Sequence, residues 1–453
     1  MQKRSLALIA IASVLLGTST AAWSGVSVES FVIIGPAVPG SQLFVSVGAQ
    51  GAPGPEAGPG ATVAWPVTLD RALLDTLPAT LAVNFPDRES ITLTRLRAER
   101  RGPGAFLWTG RNGECSAMFS ASPGWFRGTL SCLNAPYGIA QVLSGPDLRL
   151  TRYDDAGAAG LEPEPLAIPP GELAESSPAT GPQGAADQAI DILVLYNAQV
   201  RQQLDPGGGR VNTMALMRYA VDQTQLAMDV STTAGQPVIA QVNFLTAREI
   251  SIPGISYPPD DLNYLDGDPE TLALRDYWRA DVIVYVTINS PGNVIGIARM
   301  PLSNGMPEPG PDFANHALAV VVHNFAVNDG DFVFAHEFAH TLGANHNPEQ
   351  GAGNPTPVRP WAFGHWELDK DRPNYGNRTI MSYEYDPPPA GPPGGLCTLL
   401  CPRILHYSNP GVYAGWFQTG TPWRDNARLI DEIAPTTALY RTSLGRIYAD
   451  GFE

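Results

Sequence analysis

FAHEFAHTLGANH, the stretch from Phe334 to His346, decides the architecture of this 453-residue chain. It spells H-E-x-x-H-x-x-G-x-x-H, with His336, Glu337, His340, Gly343 and His346 at the fixed places. Two histidines four residues apart share one face of a helix, about one turn from each other. Glu337 follows the first, where its carboxylate reaches a water on a metal without being a ligand itself. Gly343 takes a backbone conformation that other residues avoid, so the helix stops there and the chain turns back. That turn brings His346 round as a third ligand. Three neutral imidazoles leave a fourth position open, the donor set of a catalytic rather than a structural Zn2+. The competing reading is a helix whose core and surface histidines fall at this spacing by accident. The glycine and the third histidine count against it.

Outward from this stretch, Ala317 to Val322 is apolar and β-branched and is expected as a strand at the upper rim of a cleft. Phe332 to Leu342 is expected as the ligand helix, with Asp331 capping it or lying in its first turn. Further upstream, IDILVLY, VIAQVNFL and DVIVYVT read as strands, and Thr213 to Val230 and Thr271 to Trp278 as helices. The order β-α-β-α-β leads into the rim strand and the ligand helix. The expected class is therefore α+β, with an α/β-like mixed sheet. Downstream, Ala427 to Leu439 reads as a C-terminal helix bent or interrupted by Pro435. The loops HNPEQGAGNPTPVRPWAFGHW and EYDPPPAGPPGGLC are expected to form the lower wall of the cleft.

The run NRTIMSYEY places Met381 thirty-five residues after His346. With it the chain resembles metzincin zinc endopeptidases, in particular the reprolysin-like bacterial branch that includes secreted peptidyl-Asp metalloendopeptidases. The resemblance also runs through IDILVLYNAQV, RYAVDQTQLAMDVS, FLTAREI, LRDYWRADVIVYVT, GIARM, HYSNPGVYAGW and NARLIDEIAPTTALYR, covering roughly Ala189 to Arg441. It implies a zincin-like catalytic domain in which His336, His340 and His346 bind zinc and Glu337 moves the proton of the attacking water. It implies that Met381 forms a turn flooring the site without ligating the metal. It also makes Tyr383 a candidate for oxyanion support, while the residues alone leave it equally a core or rim tyrosine. Asn347 departs from the pattern, because many reprolysin-like chains carry aspartate there, and the disulfide pattern of animal relatives is absent. The peptidyl-Asp resemblance implies cleavage on the amino side of aspartate. A pocket for that side chain needs a cation or strong donor. Arg359, Lys370, Arg372 and Arg378 lie in the right stretch, as candidates for that role or as solvent-facing charges.

The start of the chain carries Lys3 and Arg4, the apolar SLALIAIASVLLG and the small residues TSTAA. This reads as a secretory signal peptide over residues 1–22, with an uncleaved anchor as the alternative. A secreted, extracellular protein with no stable membrane span after cleavage is expected. Residues 23–153 hold short strand-like runs and are expected as a β-rich pro-domain or a retained accessory domain. Residues 154–188 form a linker rich in Pro, Gly, Ala and acid, residues 189–443 the catalytic domain, and residues 444–453 a short tail. Cys115 and Cys132 flank a hairpin and Cys397 and Cys401 a short loop, so two local disulfides are expected of the three pairings that four cysteines allow.

The net charge of −16, without basic clusters, excludes a nucleic-acid partner. Protein or peptide substrates are expected. No motif indicates a structural Ca2+, and nothing in the sequence fixes an oligomeric state. The second function class is a non-enzymatic exported binding or adhesion protein that keeps the metallopeptidase fold.

Overall fold

The computed structural model describes residues 42–54, 61–133, 135–141, 147–153, 189–234, 236, 238–252, 257–288, 294–301, 308–327, 330–350, 357–372, 375–383 and 401–441. The expected signal peptide, the linker, Cys397, the whole EYDPPPAGPPGGLC loop and the C-terminal tail lie outside them.

The first nine strands are β1 (Phe44–Val47), β2 (Ala61–Leu69), β3 (Thr80–Val83), β4 (Ile91–Gly102), β5 (Ala105–Arg111), β6 (Cys115–Ser122), β7 (Trp125–Cys132), β8 (Ala135–Gln141) and β9 (Leu148–Tyr153). A short helix, α1 (Arg71–Asp75), joins β2 to β3. They pair in the order β1-β2-β9-β8-β7-β6-β5-β4-β3, every neighbour antiparallel. The sheet curls until Gln42 bridges Ala82 of β3 and the Leu43 N–H donates to the Ala82 carbonyl, so its two ends meet as in a barrel. Leu93, Trp108, Phe119, Leu130 and Leu150 fill the interior. Seven of the strands coincide with strand-like runs in the sequence. β8 and β9 escape that reading because Pro136 and Gly138 interrupt one and two arginines the other, both poor strand signals. Cys115 faces Cys132 across the β6–β7 pair, and the two form a disulfide with Cα atoms 4.1 Å apart. Cys401 is also disulfide-bonded.

The second half is built on β10 (Ala189–Tyr196), β11 (Gln241–Glu249), β12 (Val282–Thr287), β13 (Gly296–Ala298) and β14 (Leu318–Val322), in the order β11-β10-β12-β14-β13. All pairs are parallel except β13 with β14. Successive residues alternate between two cores: Ile192, Val194 and Tyr196 point into one, Leu193 and Leu195 into the other. Helix α2 (Ala198–Leu204) precedes α3 (Val211–Val230), which covers the first face with α7 (Val333–Thr341) and α8 (Asn426–Thr437). Helices α4 (Pro258–Gly267) and α5 (Pro269–Trp278) flank the connection from β11 to β12, and α4 covers the second face. The four-residue α6 (His323–Ala326) follows β14. The mixed α+β class is thus as expected. The short pairs β15 (Trp366–Leu368) with β16 (Gly376–Arg378) and β17 (Tyr413–Ala414) with β18 (Phe417–Gln418) lie downstream. Pro435 is accommodated inside α8. Among the described residues no helix is long and apolar enough to cross a membrane.

Two expectations need correction. The strand at Ala317 to Val322 exists as β14 but is flanked by β12 and β13, so it cannot form the rim. The strand at that edge of the sheet is β13, three residues long and too short to leave a periodic signal. Asp331 does not cap the ligand helix. The N-cap is Phe332, in the left-handed region at φ 52°, with no side-chain cap bond.

The two halves are pressed together. β5 and β6 are buried on both faces: Trp108 and Phe119 point into the barrel, while Leu107 and Met118 join the core around α3 and α7. Helix α3 is therefore covered on several sides, which explains why it buries Gln223 and Thr224 as well as its apolar residues. Gln223 Nε2 donates to Thr129 Oγ1, and the Thr129 hydroxyl bonds the Tyr219 hydroxyl at 2.5 Å.

Candidate metal centre

Helix α7 carries His336, Glu337 and His340 on adjacent turns, and all three are buried. Gly343 ends it at φ 90°, with its N–H donated to the His340 carbonyl and the Ala344 N–H to the Ala339 carbonyl. A side chain at 343 would also strike Val358 Cγ2, at 2.7 Å. Past the turn, the Asn345 N–H donates to the Ala362 carbonyl and the Gly364 N–H to the Asn345 carbonyl. These bonds pin the returning chain and aim His346 at the helix.

The three Nε2 atoms converge to 2.9–3.0 Å from one another. His336 Nδ1 lies 2.9 Å from the Ile380 carbonyl and His340 Nδ1 2.7 Å from the Ala344 carbonyl. A carbonyl oxygen only accepts, so both Nδ1 atoms carry the proton and both Nε2 atoms present lone pairs. Burial first, then the neighbouring His340, Arg403 and His346, hold His336 well below the ordinary imidazole range, so its ring is neutral. Lone pairs crowded at one point in a dry interior repel unless a cation lies between them. The donor set therefore fits a metal ion, and His336, His340 and His346 form a cluster able to hold one.

Met381 is fully buried in the turn after β16. The Ser382 N–H donates to the Thr379 carbonyl, and Ile380, one residue before Met381, supplies the carbonyl that orients His336. Gly364 passes so close that a Cβ there would lie 2.7 Å from the Met381 carbonyl oxygen. Tyr383 is half-buried, its ring perpendicular to His346 with centroids 4.4 Å apart. Asn347 Oδ1 accepts from the Tyr383 N–H and Nδ2 donates to Glu349 Oε2. An aspartate at 347 would face Glu349 as a second carboxylate, so the amide suits this neighbour.

Of the candidate specificity cations, Arg359 pairs with Glu432 and Glu308, Arg372 with Asp369, and the exposed Lys370 with Asp371. Arg378 is buried, donating Nε to the Cys401 carbonyl and Nη1 to the Ser382 carbonyl, so it braces the methionine turn. Two residues of the site carried no local sequence signal. Arg403, bridged to Arg378, lies 5.7 Å from the Tyr383 ring centroid and donates to the Asp331 carbonyl just before α7. Gly296 of β13 abuts Glu337: a Cβ there would lie 2.5 Å from Glu337 Oε1 and 2.7 Å from its Cγ.

No family model matches the chain. Over 129 residues it is 30% identical to a peptidyl-Asp metalloendopeptidase of Stenotrophomonas maltophilia (strain K279a), an alignment spanning 28% of this chain and 27% of that one. Over 112 residues it is 30% identical to a peptidyl-Asp metalloendopeptidase of Pseudomonas fragi, spanning 25% of this chain and 60% of that one. Both alignments thus cover less than two thirds of the relatives' own lengths. Among solved structures, it is similar to metalloproteinase-II from Bacteroides fragilis at TM-score 0.35 and 13% identity, over 62% of this chain and 85% of that one. A chaperone-substrate complex gives TM-score 0.38 and 15% identity over 80% and 41%. Both scores are too low to bear on the fold. The sequence relatives connect this chain distantly to metallopeptidases, and the histidine cluster is a site of the kind a metallopeptidase needs.

Proposed function

We propose that this chain is a secreted zinc-dependent endopeptidase. The observation that carries the reading is the convergence of three Nε2 atoms beside a buried Glu337, on a helix that packs against the edge strand of the sheet. His336, His340 and His346 would hold the metal, and the two backbone carbonyls keep His336 and His340 in the ligating tautomer. Zn2+ bound there supplies a Lewis acid that acidifies water and polarises a carbonyl. Glu337 accepts the proton of the attacking water and returns it to the leaving amine. β13 lies at the end of its sheet, so an extended peptide can add to it as a further strand next to Glu337. Tyr383, whose ring lies perpendicular to His346 with centroids 4.4 Å apart, would donate to the developing oxyanion.

A preference for aspartate after the scissile bond is the finer reading, supported by the names of the two sequence relatives. Export through residues 1–22 belongs to the same proposal, as do the linker at 154–188 and a pro- or accessory role for residues 23–153. The test is Glu337→Ala, with bound zinc and cleavage of unfolded casein measured in parallel. Zinc should remain while turnover falls about 10²–10⁴-fold. Wild-type turnover in that variant would refute the mechanism, and the absence of chelator-sensitive cleavage by the wild type would favour the binding-protein alternative. Mass-spectrometric mapping of cut peptides reads the aspartate preference separately.

A further inference from the structure

We propose that the nine-stranded barrel is a lasting structural half of the metal site, which stays docked when the linker is cut and without which the histidine cluster loses metal affinity. The contact has the character of a core. Leu107 and Met118 of the barrel share one apolar cluster with Leu216, Ala220 and Phe334 of the second half. Around it, Arg101 donates Nη1 and Nη2 to the two carboxylate oxygens of Asp222 at 2.5 and 2.7 Å, with side chains 12% and 11% exposed. Removing the barrel would strand the Asp222 carboxylate and expose the apolar face of α3.

A set of hydrogen bonds then links the barrel to His336 through three consecutive residues. The Leu405 N–H donates to Ser131 Oγ on β7. The His406 carbonyl accepts from the Ile380 N–H, and the Ile380 carbonyl orients His336. The Tyr407 hydroxyl donates to the carbonyl of Ala335, the residue before His336. Leu405, Tyr407 and Ile380 are fully buried, so these bonds are not exchanged with solvent. Outer partners of metal ligands typically govern affinity by 10–100-fold. The barrel holds the segment whose His406 carbonyl fixes Ile380, the outer partner of His336. A pro-region that merely plugs a cleft would need neither a shared core nor this connection.

The test uses the full-length protein with a site-specific protease sequence inserted after Pro170. After nicking, the two halves should co-elute on size exclusion and keep bound zinc. Arg101→Glu, which opposes Asp222, should let the nicked halves separate, and the freed second half should bind zinc at least tenfold more weakly by chelator competition. The un-nicked R101E protein, with its barrel held at high effective concentration, should stay near wild type. Ser131→Ala is the milder variant if R101E fails to fold. It should weaken zinc at least tenfold with circular dichroism unchanged. Separation on nicking with zinc affinity intact in the second half overturns the proposal, as does wild-type zinc affinity in S131A. Both readouts are independent of peptidase activity, so they stand or fall apart from the reaction proposed above.

Discussion

Gly296→Ala isolates the contact between the edge strand and the proposed base. Its φ lies outside the left-handed region, so alanine meets no backbone strain and the effect is steric alone. The new Cβ would lie 2.5 Å from Glu337 Oε1, 2.6 Å from Val333 Cγ1 and 2.7 Å from Glu337 Cγ. Carbon pairs rest at about 3.5 Å or more, so strand and helix must part by roughly 0.8 Å or the glutamate must leave its rotamer. Overpacking of that size costs about 1–3 kcal/mol of stability. A displacement near 1 Å at a reacting group costs about 100-fold in rate. None of the three histidines is touched, so metal content should be unchanged. The assay is kcat/KM on a quenched peptide, with zinc by mass spectrometry and thermal unfolding alongside. Gly310→Ala is the control, because its Cβ would meet nothing nearer than 3.6 Å. A G296A protein that turns over at the wild-type rate would show that the Glu337 carboxylate does not need this approach, and the argument for β13 as the rim beside the base would fail.

Asp261 is raised to about 7, chiefly by burial, then by Asp260 and against the hydrogen bonds from Thr287 and Tyr257. The folded chain keeps this proton up to about pH 7 and the unfolded chain releases it near 3.8, so the wild type loses stability as pH rises through that window. Asp261→Asn should remove this loss, gaining on the order of 3 kcal/mol over wild type by pH 8 after allowance for screening. Urea titrations at pH 4.5 and 8 read the difference, and an equal effect at both rejects it. Replacing Cys115 and Cys132 together by serine opens a link of sequence separation 17 and should cost about 3 kcal/mol in the same titration. No change in midpoint would mean the barrel ends already hold this hairpin. Tyr407→Phe deletes one buried hydroxyl donated to the Ala335 carbonyl, for a loss of about 0.5–1.5 kcal/mol that calorimetry resolves.

The helix at 333–341 was legible because the motif is compressed into eleven consecutive residues, and the central strands β12 and β14 because both faces are buried and each reads as a nearly unbroken apolar run. The barrel strands were legible where one side chain in two stays apolar. What escaped was set by tertiary contact. β13 is too short to carry a period. Gly296 and Gly364 matter through what they approach, which lies 41 and 17 residues away along the chain. Arg403 reaches the site only because residues 401–407 return alongside β16 and the methionine turn. Arg378 lies three residues before Met381, yet its orientation toward backbone carbonyls follows from that same returning segment.

The brevity of β13 has a consequence for the molecule's life in a crowded fluid. An open sheet edge is a template on which any extended chain can condense, and long bare edges seed aggregates. Three residues at about 3.3 Å each offer a ledge of only about 10 Å. On the function proposed above, that is enough to align the few residues around one bond of a passing peptide. It is too little to zip two copies of the protein together. On the function proposed above, the same ledge would admit a transient guest and disfavour a permanent one by its length, since β13 itself (Gly296–Ala298) carries no charge.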